Sequence, residues 1–267
     1  MDWHNLTLVV CISSISLTLS ASAPVVSISD PCNNRDCISP QSEKLYQQAQ
    51  SITVKVMSKE FLGSGILLRK QGSVYTVLTN AHVLQAGEPP YRIQVSNGRI
   101  YTAKLARSLN LGKNDLALLQ FKSADIVYTV ATIGSKAAVG QEVFVAGFPA
   151  SEEGSEGKDF TFTPGKVSLV LPKPLEGGYQ LGYTNAIANG MSGGPLLNRR
   201  GQVVGINGMQ ADPLWDVPSV FADGSKVDER LHKIIVRLSW AVPMDRVVQM
   251  MQKPVRAKDS SVLNKAD

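Results

Sequence analysis

Histidine is scarce in this chain: its 267 residues include three, His4, His82 and His232. His4 lies in an N-terminal segment predicted to be removed, which leaves His82 and His232 for general-base chemistry near neutral pH. Cysteine is equally scarce. Cys11 lies in an apolar N-terminal run, which leaves Cys32 and Cys37, and two thiols without a neighbouring histidine fall short of a tetrahedral zinc site. The apolar stretch from Leu6 to Leu19 stops short of the ~20 residues that a membrane-spanning helix needs. Charge is sparse too, at 18% of residues, and the net surplus of +5 is spread along the chain with its densest piece at Arg199-Arg200. That distribution reads as solvated surface and not as a nucleic-acid-binding face.

What is present is enough apolar material, 43% of residues, for one good-sized core or two smaller ones. Residues 1–23 are predicted to be an export signal: the short apolar run ends at Ala21-Ser22-Ala23, a small-residue cleavage pattern. No Lys or Arg precedes the run and Pro24 follows the cut, so an uncleaved anchor is the alternative. An exported chain meets an oxidising compartment, where Cys32 and Cys37, bracketing a small polar loop, either close a disulfide or remain two free surface thiols. Residues 24–46, rich in Ser, Pro, Asn and Asp, read as a flexible arm.

From residue 47 onward short apolar runs alternate with Gly, Pro and Asn turns. The runs are 52–56, 65–68, 74–79, 93–95, 100–105, 116–121, 142–146, 166–170, 179–184, 195–198, 202–206 and 236–242. About twelve strands of this length predict an all-β sandwich or barrel. A single helix is expected over 243–253, opened by Pro243 and presenting Met244, Val247, Val248 and Met251 on one face. The polar tail over 256–267 is too short for a further domain.

Three short motifs carry chemistry. In Asn189-Gly190-Met191-Ser192-Gly193-Gly194-Pro195, glycines leave room for a carbonyl to approach a serine hydroxyl and backbone N–H groups. Taken alone such a loop is equally a turn between strands. His82 ends the apolar run Val77-Leu78-Thr79-Asn80-Ala81-His82-Val83, and Asp115 precedes another, Leu116-Ala117-Leu118-Leu119. The order is His82, Asp115, Ser192, with the histidine 33 residues before the aspartate and the serine 77 after it. That is the chain order of the chymotrypsin template, not of subtilisin or the α/β-hydrolases.

With these motifs the sequence resembles the trypsin-like serine peptidases of the chymotrypsin fold, nearest to the bacterial HtrA/Deg-like branch. Gly63-Ser64-Gly65 and Val204-Gly205-Ile206-Asn207 fit that branch as well, and the resemblance runs over roughly residues 48–253. It implies two six-stranded antiparallel barrels, about 47–125 and 130–242, within a peptidase domain at 47–255. The active site would lie in the cleft between them. No room is left for the PDZ module that many HtrA-like proteins carry.

The implied reaction is peptide-bond hydrolysis. A serine hydroxyl is a weak nucleophile, so His82 would take its proton, as imidazole with an ordinary pKa of ~6.5 can, and pass it to the leaving amine. Asp115 would orient the imidazole, and the N–H groups of Gly190 and Ser192 would hold the oxyanion. No metal or organic cofactor is needed. Met191 stands where trypsins have the Asp that pairs with a newly cut N-terminus, so that activation switch is absent. Ala186 stands where trypsins have the Asp that binds basic side chains. With Ile187 and Asn207 it predicts a substrate pocket for small or medium apolar residues and not for Lys or Arg.

The partner implied is a polypeptide, with no nucleic acid and no stable membrane span after signal removal. The location implied is periplasmic or extracellular. Two loops border the site in prospect, Ala150–Lys158 and Met209–Lys233, and His232 in the second reads as a surface histidine. The alternatives are a catalytically silent binding or scaffold protein on the same fold and an esterase using the same triad.

Overall fold

A computed structural model describes residues 40–106, 111–150, 160–212 and 219–252. The segment 1–23, the Cys32 and Cys37 pair, the tail 256–267, Trp215 and most of the loop 150–158 lie outside the described residues.

Twelve strands are found among the described residues, one for each predicted run. Six close into a first barrel: β1 (Thr53–Met57), β2 (Phe61–Gln71), β3 (Val74–Thr79), β4 (Tyr91–Gln94), β5 (Ile100–Leu105) and β6 (Ala117–Lys122). Their order around the barrel is β1-β2-β3-β6-β5-β4, and pairing of Val56 with Ile93 joins β1 to β4 and shuts it. The second barrel is built from β7 (Glu142–Gly147), β8 (Thr161–Val170), β9 (Leu181–Tyr183), β10 (Pro195–Asn198), β11 (Val203–Met209) and β12 (Ser239–Pro243). Its order is β10-β11-β12-β9-β8-β7, shut by Leu196 against Val145. All pairings between successive members are antiparallel.

The two-residue period of a strand explains how three cores arise from these runs. On β3, Val77 points into the first barrel's own core with Val54, Val56 and Leu119. Its neighbour Leu78 points the other way, into a separate cluster with Leu118, Ile206, Trp240 and Val242. On β12, Ala241 fills the interior of the second barrel with Val143, Val145 and Val204, whereas Trp240 and Val242 on either side join that shared cluster. Strands buried on both faces read as continuous apolar runs, which is how they stand in the sequence.

The expectation of a single helix is corrected: among the described residues there are four, α1 (Pro40–Ile52), α2 (Ala81–Gln85), α3 (Glu229–Ile235) and α4 (Met244–Gln252). The arm predicted over 24–46 therefore gives way to helix from Pro40. α1 buries Leu45, Ala49 and Ile52, one stripe at i, i+4 and i+7, and its other positions are mostly polar. Tyr46 adds edge contacts to the rings of Phe160 and Phe162, at 5.2 and 5.9 Å between centroids. α3 starts at a true cap, Asp228, whose carboxylate accepts the N–H groups of Arg230 and Leu231 at 3.0 Å each. Pro243 belongs to β12, paired with Gly205, and α4 begins one residue later. Met244 and Val247 bury the face expected of α4.

Candidate active site

β3 ends at Thr79, and the chain turns through Asn80 into the one-turn helix α2 that carries His82. Two bonds fix this corner. Thr79 Oγ1 donates to Ser64 O at 2.7 Å, and Asn80 Nδ2 donates to Asp115 O at 2.7 Å. The second bond reaches the turn before β6, whose own backbone is held by Asp115 N–H donating to Gly177 O at 2.8 Å. The histidine corner is thus held to the main chain of Asp115, and that main chain to Gly177.

The side chains then meet. His82 N–H donates to Asp115 Oδ1 at 2.9 Å, and His82 Nδ1 lies 2.6 Å from Asp115 Oδ2. An ionised carboxylate only accepts, so the proton between them resides on Nδ1, and in the neutral ring Nε2 is left as an acceptor. The histidine side chain is 43% exposed and the aspartate 16%. Burial pushes the Asp115 carboxyl upward, but the hydrogen bonds and positive partial charge supplied by His82, with the hydroxyl of Tyr179, outweigh it and hold the group below its ordinary value of 3.8. Tyr179 donates its hydroxyl to the same Oδ2.

The serine loop is tied down from both barrels. Ser64 N–H donates to Ser192 O at 2.9 Å, and the Ser64 hydroxyl donates to Gly190 O at 2.8 Å while accepting Phe148 N–H at 2.9 Å. Ala150 N–H holds Asn189 O at 2.8 Å. From β11, Asn207 O accepts Gly193 N–H at 2.8 Å, Asn207 N–H donates to Gly194 O at 3.0 Å and Asn207 Nδ2 donates to Met191 O at 3.0 Å. Met191 is 1% exposed and anchors the loop in the second barrel's core. At Gly193 φ is +85°, and a Cβ there would collide with Ser64 O and Thr79 Oγ1, so only glycine fits.

Among the described residues, the N–H groups of Gly190 and Ser192 have no protein acceptor. The Ser192 hydroxyl donates to Gly208 O at 3.4 Å, and no hydrogen bond joins it to His82.

Of the predicted pocket residues, Ala186 is exposed and Ile187 is partly buried against the second barrel's core. Asn207 is corrected: it is fully buried, and its side chain is taken up by Met191 O and the Tyr183 hydroxyl, so it braces the serine loop and does not line an open pocket. His232 lies partly exposed on α3, its N–H bonded to Asp228 O, and has no part in the contacts around Asp115. Ser64, Phe148 and Tyr179 were not anticipated. Ser64 had a local signal in Gly63-Ser64-Gly65, but Tyr179 meets an aspartate 64 residues away and no spacing announces it.

A cavity of ≈ 340 Å³ lined by Tyr46, Lys55, Phe148 and Phe160, among others, includes none of His82, Asp115 or Ser192. Among the described residues no three His, Cys, Asp or Glu side chains gather as a metal site, and no helix is long and apolar enough to cross a membrane.

Two closed six-stranded barrels, with a bonded histidine and aspartate from one and a glycine-framed serine from the other, define the trypsin fold. Residues 63–206 match the trypsin-like peptidase domain family, and the chain belongs to that family. It is related to the bacterial HtrA and Deg proteins. The serine protease Do-like HtrA of Bacillus subtilis (strain 168) is 36% identical over 158 residues, which cover 55% of this chain and 33% of that protein. The periplasmic pH-dependent serine endoprotease DegQ of Escherichia coli (strain K12) is 36% identical over 152 residues, 55% of this chain and 31% of that one. The match thus spans about a third of these relatives' length. Among solved structures, the serine endoprotease from Yersinia pestis superposes with a TM-score of 0.54 at 24% identity, covering 80% of this chain and 67% of that one, a likeness of fold.

Proposed function

We infer that the chain is a serine endopeptidase, exported from the cell, in which Ser192 is the nucleophile, His82 the general base and acid, and Asp115 the residue that orients His82. The observation that carries this reading is the pair of hydrogen bonds from His82 to Asp115, through the backbone N–H at 2.9 Å and through Nδ1 at 2.6 Å. It holds the imidazole with Nε2 turned to the proton-accepting role. As a peptide carbonyl enters, the Ser192 hydroxyl leaves Gly208 O and gives its proton to His82 Nε2 as Oγ bonds to the carbonyl carbon. The carbonyl oxygen becomes an anion held by the N–H groups of Gly190 and Ser192. The C–N bond then breaks, the amine leaves with the proton from His82, and water, deprotonated in turn by His82, hydrolyses the acyl-enzyme.

The substrate is a polypeptide. The exposed, uncharged Ala186 beside Ile187 favours small or medium apolar side chains over Lys and Arg at the residue before the cut. The names of the DegQ and HtrA relatives, one of them periplasmic, support both protease activity and an exported location.

A second reading, a silent binding protein on the same fold, draws on the resting bond of Ser192 to Gly208 O. A fluorophosphonate separates the two. Native protein should be labelled at Ser192 and should digest casein, with both lost in Ser192→Ala. Absent labelling and intact casein would establish the silent reading, and labelling with ester hydrolysis but intact casein would make the chain an esterase.

A further inference from the structure

We propose that Tyr179 is the fourth member of the line Ser192, His82 and Asp115: a positioning residue whose hydroxyl, given to Asp115 Oδ2, fixes the carboxylate against which His82 works. This rests on the peptidase reading. His82 and Asp115 come from the first barrel, whereas Tyr179 comes from the second, two residues before β9. Its bond therefore ties the aspartate to the barrel that carries the serine.

The surroundings of Tyr179 are shaped to deliver that hydroxyl. The residue is 6% exposed, so its O–H has to find a partner inside the protein, and that partner is Asp115. Room for it is made by two glycines. A Cβ on Gly208 would fall against the Tyr179 hydroxyl oxygen, and a Cβ on Gly177 would come within 2.9 Å of its ring. The same two residues hold the ends of the line, because Gly177 O accepts Asp115 N–H at 2.8 Å and Gly208 O accepts the Ser192 hydroxyl at 3.4 Å.

Asp115 Oδ1 takes the His82 N–H, and Oδ2 takes both His82 Nδ1 and the tyrosine. The carboxylate cannot swing without breaking all three. The titratable and charged groups around it are His82 on α2, Tyr179, the Tyr183 hydroxyl on β9 behind Tyr179, and Arg246 on α4, which reaches the neighbouring Asn114 Oδ1 at 3.4 Å. The tyrosine is itself pushed well above its ordinary value by burial first and by the adjacent carboxylate second, so it stays a donor over the whole working range of pH.

The test is Tyr179→Phe in the full chain, which keeps the ring and removes the donor. Loss of a hydrogen bond to a buried charge should lower kcat by about tenfold or more with KM little changed. The carboxylate, no longer shared with the tyrosine, attracts the imidazolium more strongly, so the acid limb of the kcat/KM profile should move to higher pH. The low-field proton resonance between His82 Nδ1 and Asp115 should shift as well, a readout that needs no turnover. Gly208→Ala, which displaces the hydroxyl without removing it, is the second variant and should move the limb and the resonance in the same direction if Tyr179→Phe does not hold its fold. An unchanged kcat, pH limb and resonance in a folded variant would overturn the role of Tyr179. A wild-type chain that neither cleaves casein nor labels would instead overturn the peptidase reading, while the resonance still decides whether Tyr179 holds Asp115.

Discussion

The hydroxyl of Ser64 bonds the carbonyl of Gly190 at 2.8 Å, so a residue of the first barrel holds the peptide that precedes Met191 in the serine loop of the second. Ser64 is fully buried, and its oxygen also accepts Phe148 N–H at 2.9 Å. With Asn189 O held by Ala150 N–H, the carbonyls of both residues are engaged, and the Gly190 N–H is left without an acceptor. The serine loop around Met191 is therefore held by contacts from outside the loop, from Ser64 and Ala150.

Ser64→Ala is expected to loosen this arrangement without unfolding the protein. It leaves Gly190 O and Phe148 N–H unpartnered, a cost of about 1–3 kcal/mol for a buried polar group. Part of that cost should appear as lost transition-state stabilisation, since the Gly190–Met191 peptide then keeps only the bond of Met191 N–H to Ala188 O at 3.1 Å. Fluorophosphonate labelling of Ser192 should slow by roughly tenfold to a hundredfold. Labelling at the wild-type rate would mean that Ser64 is not what orients the loop.

Ser192→Ala and His82→Ala should both remain folded, because neither side chain belongs to the apolar cores. Their melting temperatures should lie close to that of the parent chain, while hydrolysis of casein falls by about 10⁴-fold or more. Unfolding of either variant would mean that these residues carry packing that their partly exposed positions do not suggest.

The barrels were legible because each strand is a short apolar run closed by turn residues, and the order of His82 and Asp115 in the chain picked out a pair that meets at 2.6 Å. α1 was hidden by its own composition. Thirteen residues bury three, and the polar remainder has the same look as a solvated arm. Asn207, expected with Ala186 and Ile187 in the pocket, braces a loop that returns to it only in three dimensions. Tyr179 was equally opaque: the glycines that give it space, Gly177 and Gly208, lie in separate segments.

Ile52 tests whether α1 is an integral part of the domain. It is 1% exposed and belongs to the cluster shared by Leu78, Trp240 and Met244. Ile52→Ala should cost about 2–5 kcal/mol from lost burial and the cavity left behind. Chemical denaturation should show the midpoint falling with little change in slope. A cost near zero would mean that α1 can leave the domain freely.

The depressed Asp115 carboxyl links stability to acid. Its folded value lies below the unfolded 3.8, so folding favours the ionised form. The contribution is complete above about pH 5, where the unfolded chain is also ionised, and is lost as pH falls through 3.8 towards the lower folded value. Wild-type protein should therefore lose melting temperature as pH falls below about 5. Asp115→Asn has no proton to take up there, so it should start less stable at neutral pH and show a shallower acid slope. Equal slopes for the two chains would show that other carboxylates, and not the one beneath His82, govern acid unfolding.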